Sequence, residues 1–494
     1  MQDSRNHLST RAGRPLGNLE IFFKLLADQG KRIKREHWTI HLSMTLELPL
    51  SLQDPVPNLK CAWQVMRLQH PQLGAYITSD SDTNNLGSRP LLVPTALDLD
   101  AWATKTFVVQ LDVSSGDEIF SSYHDTSYPT CVWLPASSQL IIFSSHWRTD
   151  GVGMCLLAND FMTALAATIG KEAHPLTIAQ SIGINDHGHS IVELPKSLED
   201  LARDLSHHPR DRDDIVLAAG ADALVSEFLQ GMPSIGLPTI AGSEAAVPSS
   251  SGRTARTLDV DTTTLISSSC RDMGFTVTSA VHAAIVRTTT SFQQHPLARS
   301  YAAFVPVDLR RILGGFANQQ IGLYFSGLPV YVESSVLQKG KESFELIARK
   351  LGSVYSRDQV RFWKPSEGID QDDYLGLLDL VEPYVQRTTV LFNTPAPEGF
   401  PPSQTPDLSS VGKVERYIKT LYPSESEQEA VRVNDVWMGT EMLNRSVQFH
   451  VWSWMGGLNL SASFNNSFYE KAFVAGVLDM VVEELLVGCK MKGE

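Results

Sequence analysis

Hydrophobic and polar residues alternate along several stretches of the chain, which is the pattern of a strand with one buried face. The alternation is clearest over residues 40–48, 447–451 and 458–464. Gly456 and Gly457 lie between the last two stretches, and such a glycine pair between alternating runs predicts a β-hairpin. The N-terminal and C-terminal parts of the chain therefore both contain sheet.

A period of 3.6 residues, typical of a helix with one apolar face, follows the first of these strands. Leu59, Ala62, Trp63 and Met66 recur at i, i+3, i+4 and i+7. Further helices are predicted over residues 152–166, 279–290 and 473–485, and further strands over residues 302–307 and 323–332. The alternation of strands and helices indicates an α/β fold.

The length of the chain predicts two subdomains. At 494 residues it exceeds the size at which a single hydrophobic core stops growing. Residues 231–256 are rich in Gly, Pro, Ala and Ser, so we expect an N-terminal subdomain over 1–240, a linker over 241–254 and a C-terminal subdomain over 255–494. Residues 394–410 contain five prolines and predict a loop that lies at the surface or over a site.

Composition and charge disfavour several classes of function. The net charge of −14, without a Lys/Arg-rich run, disfavours a nucleic-acid partner, because phosphate binding needs a concentrated basic face. The N-terminal residues lack the apolar core of a secretory signal, and charges interrupt the apolar stretches, so we expect a cytoplasmic protein that does not span a membrane. The five scattered cysteines, without a CxxC pair, favour reduced thiols and predict no metal site.

The most informative string is His146-Trp147-Arg148-Thr149-Asp150-Gly151, an HxxxDG motif. It follows residues 140–143, which are continuously apolar like a strand buried on both faces, and it precedes the helix predicted over 152–166. His146 therefore lies in a strand-to-helix connection. Because an imidazole titrates near neutrality and can take a proton from a hydroxyl, His146 is the candidate general base.

The sequence indicates no covalent nucleophile. Cys155 and Ser326 are surrounded by neither a GxSxG elbow nor a partnered Cys/His signature. His282 and His450 have no metal-ligand spacing with another His, Cys or carboxylate, so we expect both to be packing or surface residues. The pattern thus favours a reaction that a base assists and that passes through no covalent intermediate on the protein.

Several further segments match one protein superfamily in the order in which they occur. They are residues 59–73, which end in Gln69-His70-Pro71; residues 274–284; Val307-Asp308-Leu309-Arg310; residues 406–412; and residues 457–469. With HxxxDG, they resemble the superfamily of chloramphenicol acetyltransferase, the BAHD acyltransferases and the condensation domains of peptide synthetases, and within it the fungal trichothecene O-acetyltransferases most of all. Ser145 stands where condensation domains have the first of two histidines, which favours the simple acyltransferase branch. Asp435-Val436-Trp437-Met438-Gly439 only approximates the BAHD motif DFGWG.

The resemblance implies two chloramphenicol-acetyltransferase-like α/β subdomains that form a pseudo-dimer with a tunnel at their interface. It implies that His146 is the catalytic base in that tunnel and that Asp150, Gly151 and Arg310 have structural roles, with Asp150 paired to Arg310 away from the substrate. Asn318 is either an oxyanion or tunnel residue or an ordinary loop asparagine. The implied protein is a monomer that transfers an acyl group, chiefly acetyl, from acetyl-CoA or another acyl-CoA to a hydroxylated secondary metabolite, without a permanently bound cofactor.

Two alternatives keep the same fold. In the first, the donor is a pantetheine thioester on a carrier protein, as in condensation domains; the lack of carrier sequence in the chain disfavours it. In the second, the protein is an inactive relative that uses the tunnel as a ligand pocket, which the intact His146 and Asp150 disfavour. For Trp147 and Arg148, a packed or solvated loop is expected rather than substrate contact.

Overall fold

The computed structural model of the chain describes residues 13–78, 89–95, 97–122, 127–184, 194–205, 214–315, 319–338, 340–364, 374–425, 427 and 429–490. The helices are α1 (Asn18–Asp28), α2 (Val56–Gln69), α3 (Leu99–Thr106), α4 (Gly116–Ser122), α5 (Gly151–Thr168), α6 (Pro175–Ser181), α7 (Leu198–Leu205), α8 (Asp214–Leu229), α9 (Val260–Asp272), α10 (Val277–Thr290), α11 (Arg310–Leu313), α12 (Ser334–Leu337), α13 (Ser343–Tyr355), α14 (Leu377–Asn393) and α15 (Lys471–Gly488). The strands are β1 (Arg14–Pro15), β2 (Ile40–Glu47), β3 (Ala75–Thr78), β4 (Leu91–Pro94), β5 (Phe107–Val109), β6 (Thr130–Leu134), β7 (Gln139–Ser144), β8 (Ser251–Leu258), β9 (Tyr301–Asp308), β10 (Phe325–Val332), β11 (Asp407–Lys413), β12 (Leu421–Pro423), β13 (Ala430–Thr440), β14 (Gln448–Trp454) and β15 (Gly457–Asn465).

The elements predicted from periodicity are confirmed, with small shifts at their ends. The alternating residues 40–48 form β2, and the two stretches around Gly456 and Gly457 form the hairpin of β14 and β15. The predicted helices correspond to α2, α5, α10 and α15, and the strands predicted in the second half to β9 and β10. Each of these segments has a single dominant period, so its apolar side chains fall on one face.

The largest sheet contains strands from both halves of the chain, in the order β12-β13-β2-β7-β6-β5. β13 runs antiparallel to β2, with Val436 opposite Met44 and Met438 opposite Leu42. All four side chains are buried, so the pairing adds to a core that the two halves share. The predicted boundaries, 1–240 and 255–494, divide the chain by its order. The sheets do not follow that division, because β12 and β13 come from the second half of the chain and belong to the sheet of the first half.

β8 begins inside the segment predicted to be a linker. It is an edge strand of a second sheet, in the order β11-β14-β15-β8, and its Ser251 pairs with Asn465 of β15. The prediction of a linker over residues 241–254 is thus wrong for residues 251–254. Strand pairing uses backbone N–H and C=O groups, which the small polar side chains of this segment do not reveal. For the same reason β11 begins at Asp407, inside the loop predicted over residues 394–410.

Helices cover these sheets. α5 packs against α2 and contacts β2 and β13, while α15 packs against β8, β15 and α10. Among the helices that the structure describes, α5 is the one long and apolar enough to cross a membrane by composition, and 67% of it is buried inside the protein. α5 is accordingly a core helix of the α/β architecture.

Candidate active site

His146 lies in the short connection between β7 and α5. β7 is the buried apolar strand of the prediction and pairs with β2 on one side and β6 on the other. α5 begins at Gly151, and the Asp150 side chain caps it by accepting a hydrogen bond from the Gly153 N–H at 2.7 Å. A strand fixed on both edges and a capped helix thus hold the residues between them.

Aromatic side chains surround the His146 imidazole. The ring stacks on Phe23 of α1, with centroids 4.1 Å apart and planes 10° apart, and Phe325 and Trp38 lie at 5.7 and 6.3 Å. Its Nδ1 atom is buried and has no hydrogen-bond partner among the described residues. Burial lowers the pKa of His146 to about 4. The imidazole is therefore neutral at physiological pH and can accept a proton.

Asp150 is occupied by contacts other than His146. Its Oδ2 atom accepts hydrogen bonds from Arg310 Nη1 at 3.0 Å and from the Tyr324 N–H at 2.8 Å, and its Oδ1 accepts from Gly153. Arg310 Nη1 also donates to Asp308 Oδ1 at 3.0 Å. Asp150 is thus the partner of a buried ion pair and an N-cap, and it does not orient the His146 ring in the manner of a catalytic triad.

The same arginine ties the loop to the second half of the chain. Arg310 Nη2 donates to the carbonyls of Gln320 and Gly322 at 3.2 and 3.3 Å, and the Asp150 N–H donates to the Gly322 carbonyl at 3.2 Å. Asn318, the candidate oxyanion residue, lies outside the described residues. The structure therefore brings Asp150 and Arg310 together with His146 and leaves the position of Asn318 untested.

A cavity of about 400 Å³ opens beside His146. Gly151 lies on its wall, and of the described residues a Cβ atom built there would meet the Val411 side chain alone, at 3.8 Å. Gly151 is the first residue of α5 and is not among the glycines with a positive φ, so neither its backbone conformation nor the described packing requires a glycine. A side chain at this position would instead occupy space in the cavity.

The remaining walls come from elements that are distant in sequence. Apolar rings are contributed by α1, α8, α14, β9 and β10, whereas polar side chains come from the start of β11 and the approach to β14. The polar residues are Ser403, Thr405, Asp407, Ser409, Ser410, Asn444, Ser446 and Gln448. The proline-rich segment predicted to lie at the surface or over a site therefore ends in residues that line the cavity.

Sequence reasoning missed the aromatic residues around His146. Leu19, Phe22, Phe23 and Leu26 of α1 have helical spacing, so the helix itself was detectable. Its position over His146 depends on tertiary packing between segments more than a hundred residues apart. Asp407 lies in the segment 406–412, and the resemblance of that segment implies no role for it.

Trp147 and Arg148 do not line the cavity. Arg148 Nη1 donates to the Ala75 carbonyl at 2.7 Å and its Nη2 to the Ser127 carbonyl at 2.9 Å, while its guanidinium lies 4.0 Å from the Trp147 ring. Both side chains are therefore used in packing the loop, as predicted.

The other candidate residues also have identifiable surroundings. Cys155 is buried in α5, and burial raises the pKa of its thiol to about 12. His282 contacts the hydroxyls of Tyr301 at 2.7 Å and Tyr355 at 3.0 Å and is a packing residue, as expected. Ser326 is among the residues that line the cavity, and its buried Oγ has no hydrogen-bond partner in the described part of the chain.

Comparison with known proteins gives relatives over nearly the full length. No family model matches the chain. It is 29% identical over 467 residues to the loline biosynthesis cluster 1 transcription factor lolU1 of Epichloe uncinata, covering 92% of this chain and 89% of that protein. It is 26% identical over 483 residues to the acetyltransferase pigO of Monascus ruber, covering 96% and 95%.

Solved structures share the fold. The TRI3 trichothecene 15-O-acetyltransferase of Fusarium sporotrichioides superposes with a TM-score of 0.76 at 16% identity, covering 98% of this chain and 97% of that one. The first condensation domain of the calcium-dependent antibiotic synthetase gives 0.61 at 13% identity, covering 97% of each chain. These likenesses confirm the predicted fold class of two α/β subdomains. The chain therefore has the fold that trichothecene O-acetyltransferases and condensation domains share, and its sequence is similar to that of an acetyltransferase over nearly its full length.

Proposed function

We propose that the protein transfers an acyl group, chiefly acetyl, from a CoA thioester to a hydroxyl of a secondary metabolite, with His146 as the general base. The observation that carries the proposal is the neutral His146 imidazole on the wall of a largely apolar cavity of about 400 Å³. The acetyltransferase pigO, alike over 96% of the chain, supports the reaction class.

The proposed reaction needs one proton acceptor that later becomes a donor. His146 takes the proton of the acceptor hydroxyl while the oxygen attacks the thioester carbonyl. The tetrahedral intermediate then collapses, the C–S bond breaks, and the imidazolium returns the proton to the departing thiolate. Because burial holds the pKa of His146 near 4, the base is already deprotonated at neutral pH and needs no partner carboxylate to be so.

The charges of the cavity bear on the donor. Among its described lining residues Arg310 is the only cation, and it is paired with Asp150 and Asp308. The phosphates of CoA must therefore lie outside this cavity, with the pantetheine arm reaching in. A carrier-protein donor has the same arm, so the two are compared directly by supplying acetyl-CoA and an acetylated carrier protein at equal concentration.

The name of lolU1 calls that protein a transcription factor, and a DNA-binding role of that kind is disfavoured for this chain. A net charge of −14 opposes association with a phosphate backbone. Such a role would also make no use of a histidine at a cavity. We therefore expect no retention of duplex DNA in a filter-binding assay at physiological salt.

The experiment that tests the proposal is transfer of labelled acetyl from acetyl-CoA to a panel of hydroxylated fungal metabolites, with the wild-type chain and His146→Ala. Loss of the base should lower turnover by roughly 10²–10⁴-fold while the melting temperature stays within a few degrees. His174→Ala, at an exposed histidine, is the matched control and should retain activity. More than about a tenth of wild-type turnover in His146→Ala would refute the assignment.

A further inference from the structure

A continuous row of aromatic rings leads away from His146 along one wall of the cavity. It begins at Phe23, which stacks on the imidazole, and the ring centroids of Phe23 and Phe22 are 5.1 Å apart. Phe22 lies 5.3 Å from Phe392, Phe392 lies 5.7 Å from Phe304, and Phe304 lies 4.3 Å from Phe228, all between ring centroids. We call these five phenylalanines the aromatic wall. All five line the cavity, so a ligand in it would contact ring faces and edges.

One carboxyl group in the same cavity has no partner among the residues that the structure describes. Of the three lining carboxyls that the structure describes, Asp150 and Asp308 both contact Arg310, whereas Asp407 has no ion pair, and its Oδ1 atom is buried without a hydrogen-bond partner. Burial raises the pKa of Asp407 to about 7. A buried oxygen in this state lacks the hydrogen bonds that water would give it, which is costly unless a ligand restores them.

The groups next to Asp407 offer no substitute. Its backbone N–H donates to the Val447 carbonyl at 3.2 Å, which fixes the residue at the start of β11. The nearby hydroxyl of Tyr301 donates to the Pro406 carbonyl at 2.9 Å and contacts His282, and the hydroxyl of Tyr355 also contacts His282. Both phenols are therefore engaged elsewhere, and Asp407, a partly exposed residue of the cavity wall, has no side-chain partner among the described residues.

We propose that the cavity binds an acceptor made of an apolar ring system that carries, besides the hydroxyl to be acylated, a second O–H or N–H group that donates a hydrogen bond to Asp407. This rests on the proposed function, since it specifies the acceptor of that reaction. The aromatic wall packs the ring system, and Asp407 fixes its orientation so that the reacting hydroxyl lies at His146.

A long acyl chain is the alternative occupant of an apolar cavity. An alkyl chain has no donor, so it would leave the Asp407 oxygen desolvated and without a hydrogen bond. A site built to bind a polar group rejects the analogue that lacks it far more strongly than an apolar pocket rejects a missing methylene. The presence of Asp407 therefore favours a decorated ring over a chain.

The test uses two probes that differ in one hydroxyl, 2-naphthalenemethanol and 6-hydroxy-2-naphthalenemethanol. Binding of each is measured by calorimetry to the His146→Ala chain without acetyl-CoA, so that the result does not depend on catalysis. We expect the diol to bind about tenfold or more tightly than the mono-alcohol, the factor that one hydrogen bond to a buried acidic group supplies. In the wild-type background the same preference should appear in kcat/KM for acetylation.

Asp407→Leu should abolish the preference in a diagnostic way. Removing the unpartnered oxygen should leave the mono-alcohol bound as tightly as before or more tightly, whereas the diol should lose about tenfold. A merely structural role of Asp407 would weaken both probes equally. Asp308→Asn is the matched control, because Asp308 lines the same cavity but is engaged with Arg310; it should keep the preference for the diol.

Each outcome decides between defined alternatives. The inference about the acceptor would be overturned if the His146→Ala chain, with Asp407 intact, bound neither probe or bound both equally. It would also be overturned if the rate of acyl transfer by the wild-type chain rose steadily from acetyl-CoA to octanoyl-CoA. If the diol is preferred in binding but neither probe is acetylated, the acceptor inference stands and the proposed transfer reaction fails for these acceptors. The two proposals can therefore fail separately.

Discussion

Replacing Asp150 by Asn and Arg310 by Ala, singly and together, would measure the contact that holds the loop of the HxxxDG motif. Both side chains are buried, and their closest atoms are 3.0 Å apart. Breaking a buried ion pair by removing one partner costs about 3–5 kcal/mol, because the remaining charge is left uncompensated. Here each partner keeps another contact, Asp308 for Arg310 and two backbone N–H groups for Asp150, so we expect about 3 kcal/mol per single change, the lower end of that range.

The double variant should cost less than the sum of the singles. Once either partner is absent, removing the other takes away no further attraction, and a coupling of about 1–3 kcal/mol follows for groups in direct contact. Activity should fall about 100-fold in each variant, since Asp150 caps α5 and holds the loop that carries His146, and a shift of about 1 Å in a catalytic group has an effect of that size.

The assay combines denaturant unfolding with initial rates of acetyl transfer for the four members of the cycle. The matched control is the cycle of Asp479→Asn and Arg256→Ala, a pair that also joins distant segments but at the surface, where a coupling of about 0–1 kcal/mol is expected. Strict additivity of the buried cycle, within about 0.5 kcal/mol, would show that the contact does not contribute to stability. An unchanged rate of acetyl transfer in all variants would show that the loop functions without the ion pair.

Acetyl transfer should be direct, so incubating the chain with acetyl-CoA alone and analysing it by mass spectrometry should give no chase-competent acetyl adduct; an adduct on Ser326, one of the serines among the cavity-lining residues, would refute this. Gly151→Ala should leave the melting temperature unchanged or slightly raised, because alanine is the better helix former, but it should raise KM by narrowing the cavity; an unchanged KM would show that ligands do not reach Gly151. Stability should fall as pH decreases from about 6.5 towards 4. In this range the histidines of the unfolded chain bind protons, whereas five buried histidines of the folded chain, whose pKa values burial lowers to about 3 or 4, stay neutral. These are His37, His41, His146, His282 and His450. Burial raises the pKa of Asp407 and of Glu441 to about 7, so these two carboxyls take up protons on folding and offset part of the loss. A urea midpoint at pH 5 equal to or above that at pH 7 would contradict the expected net loss of stability.

The sequence was sufficient for elements with one clear period and for the loop that contains the motif. β2, β7 and α5 were predicted because apolar residues repeat at a fixed spacing or run without interruption, and the position of His146 between β7 and α5 followed from them. The pairing of Asp150 with Arg310, which the resemblance implied, is present in the structure.

The features that the sequence did not reveal depend on contacts between distant segments. β8 begins at Ser251 because its backbone pairs with β15, although its residues look like a linker. β13 completes the sheet that contains β2, nearly four hundred residues earlier in the chain, and no local pattern indicates such a crossing. The aromatic wall likewise draws on three helices and a strand, so its phenylalanines are ordinary core residues until their positions are known.

Burial shifts the pKa values of His146 and Asp407, which both line the cavity, in opposite directions, and both shifts favour the uncharged form. It lowers the pKa of His146 to about 4, which removes the proton from the imidazole, and raises the pKa of Asp407 to about 7, which adds one to a carboxyl. Near neutrality the cavity wall thus includes a neutral imidazole, a carboxyl near its titration midpoint and the Asp150–Arg310–Asp308 cluster. A neutral acceptor enters such a cavity without desolvating a charge of its own. An acceptor whose second donor is a cationic amine would instead draw Asp407 into its ionised form and make its binding increase with pH through about 7, whereas a hydroxyl donor has no such requirement.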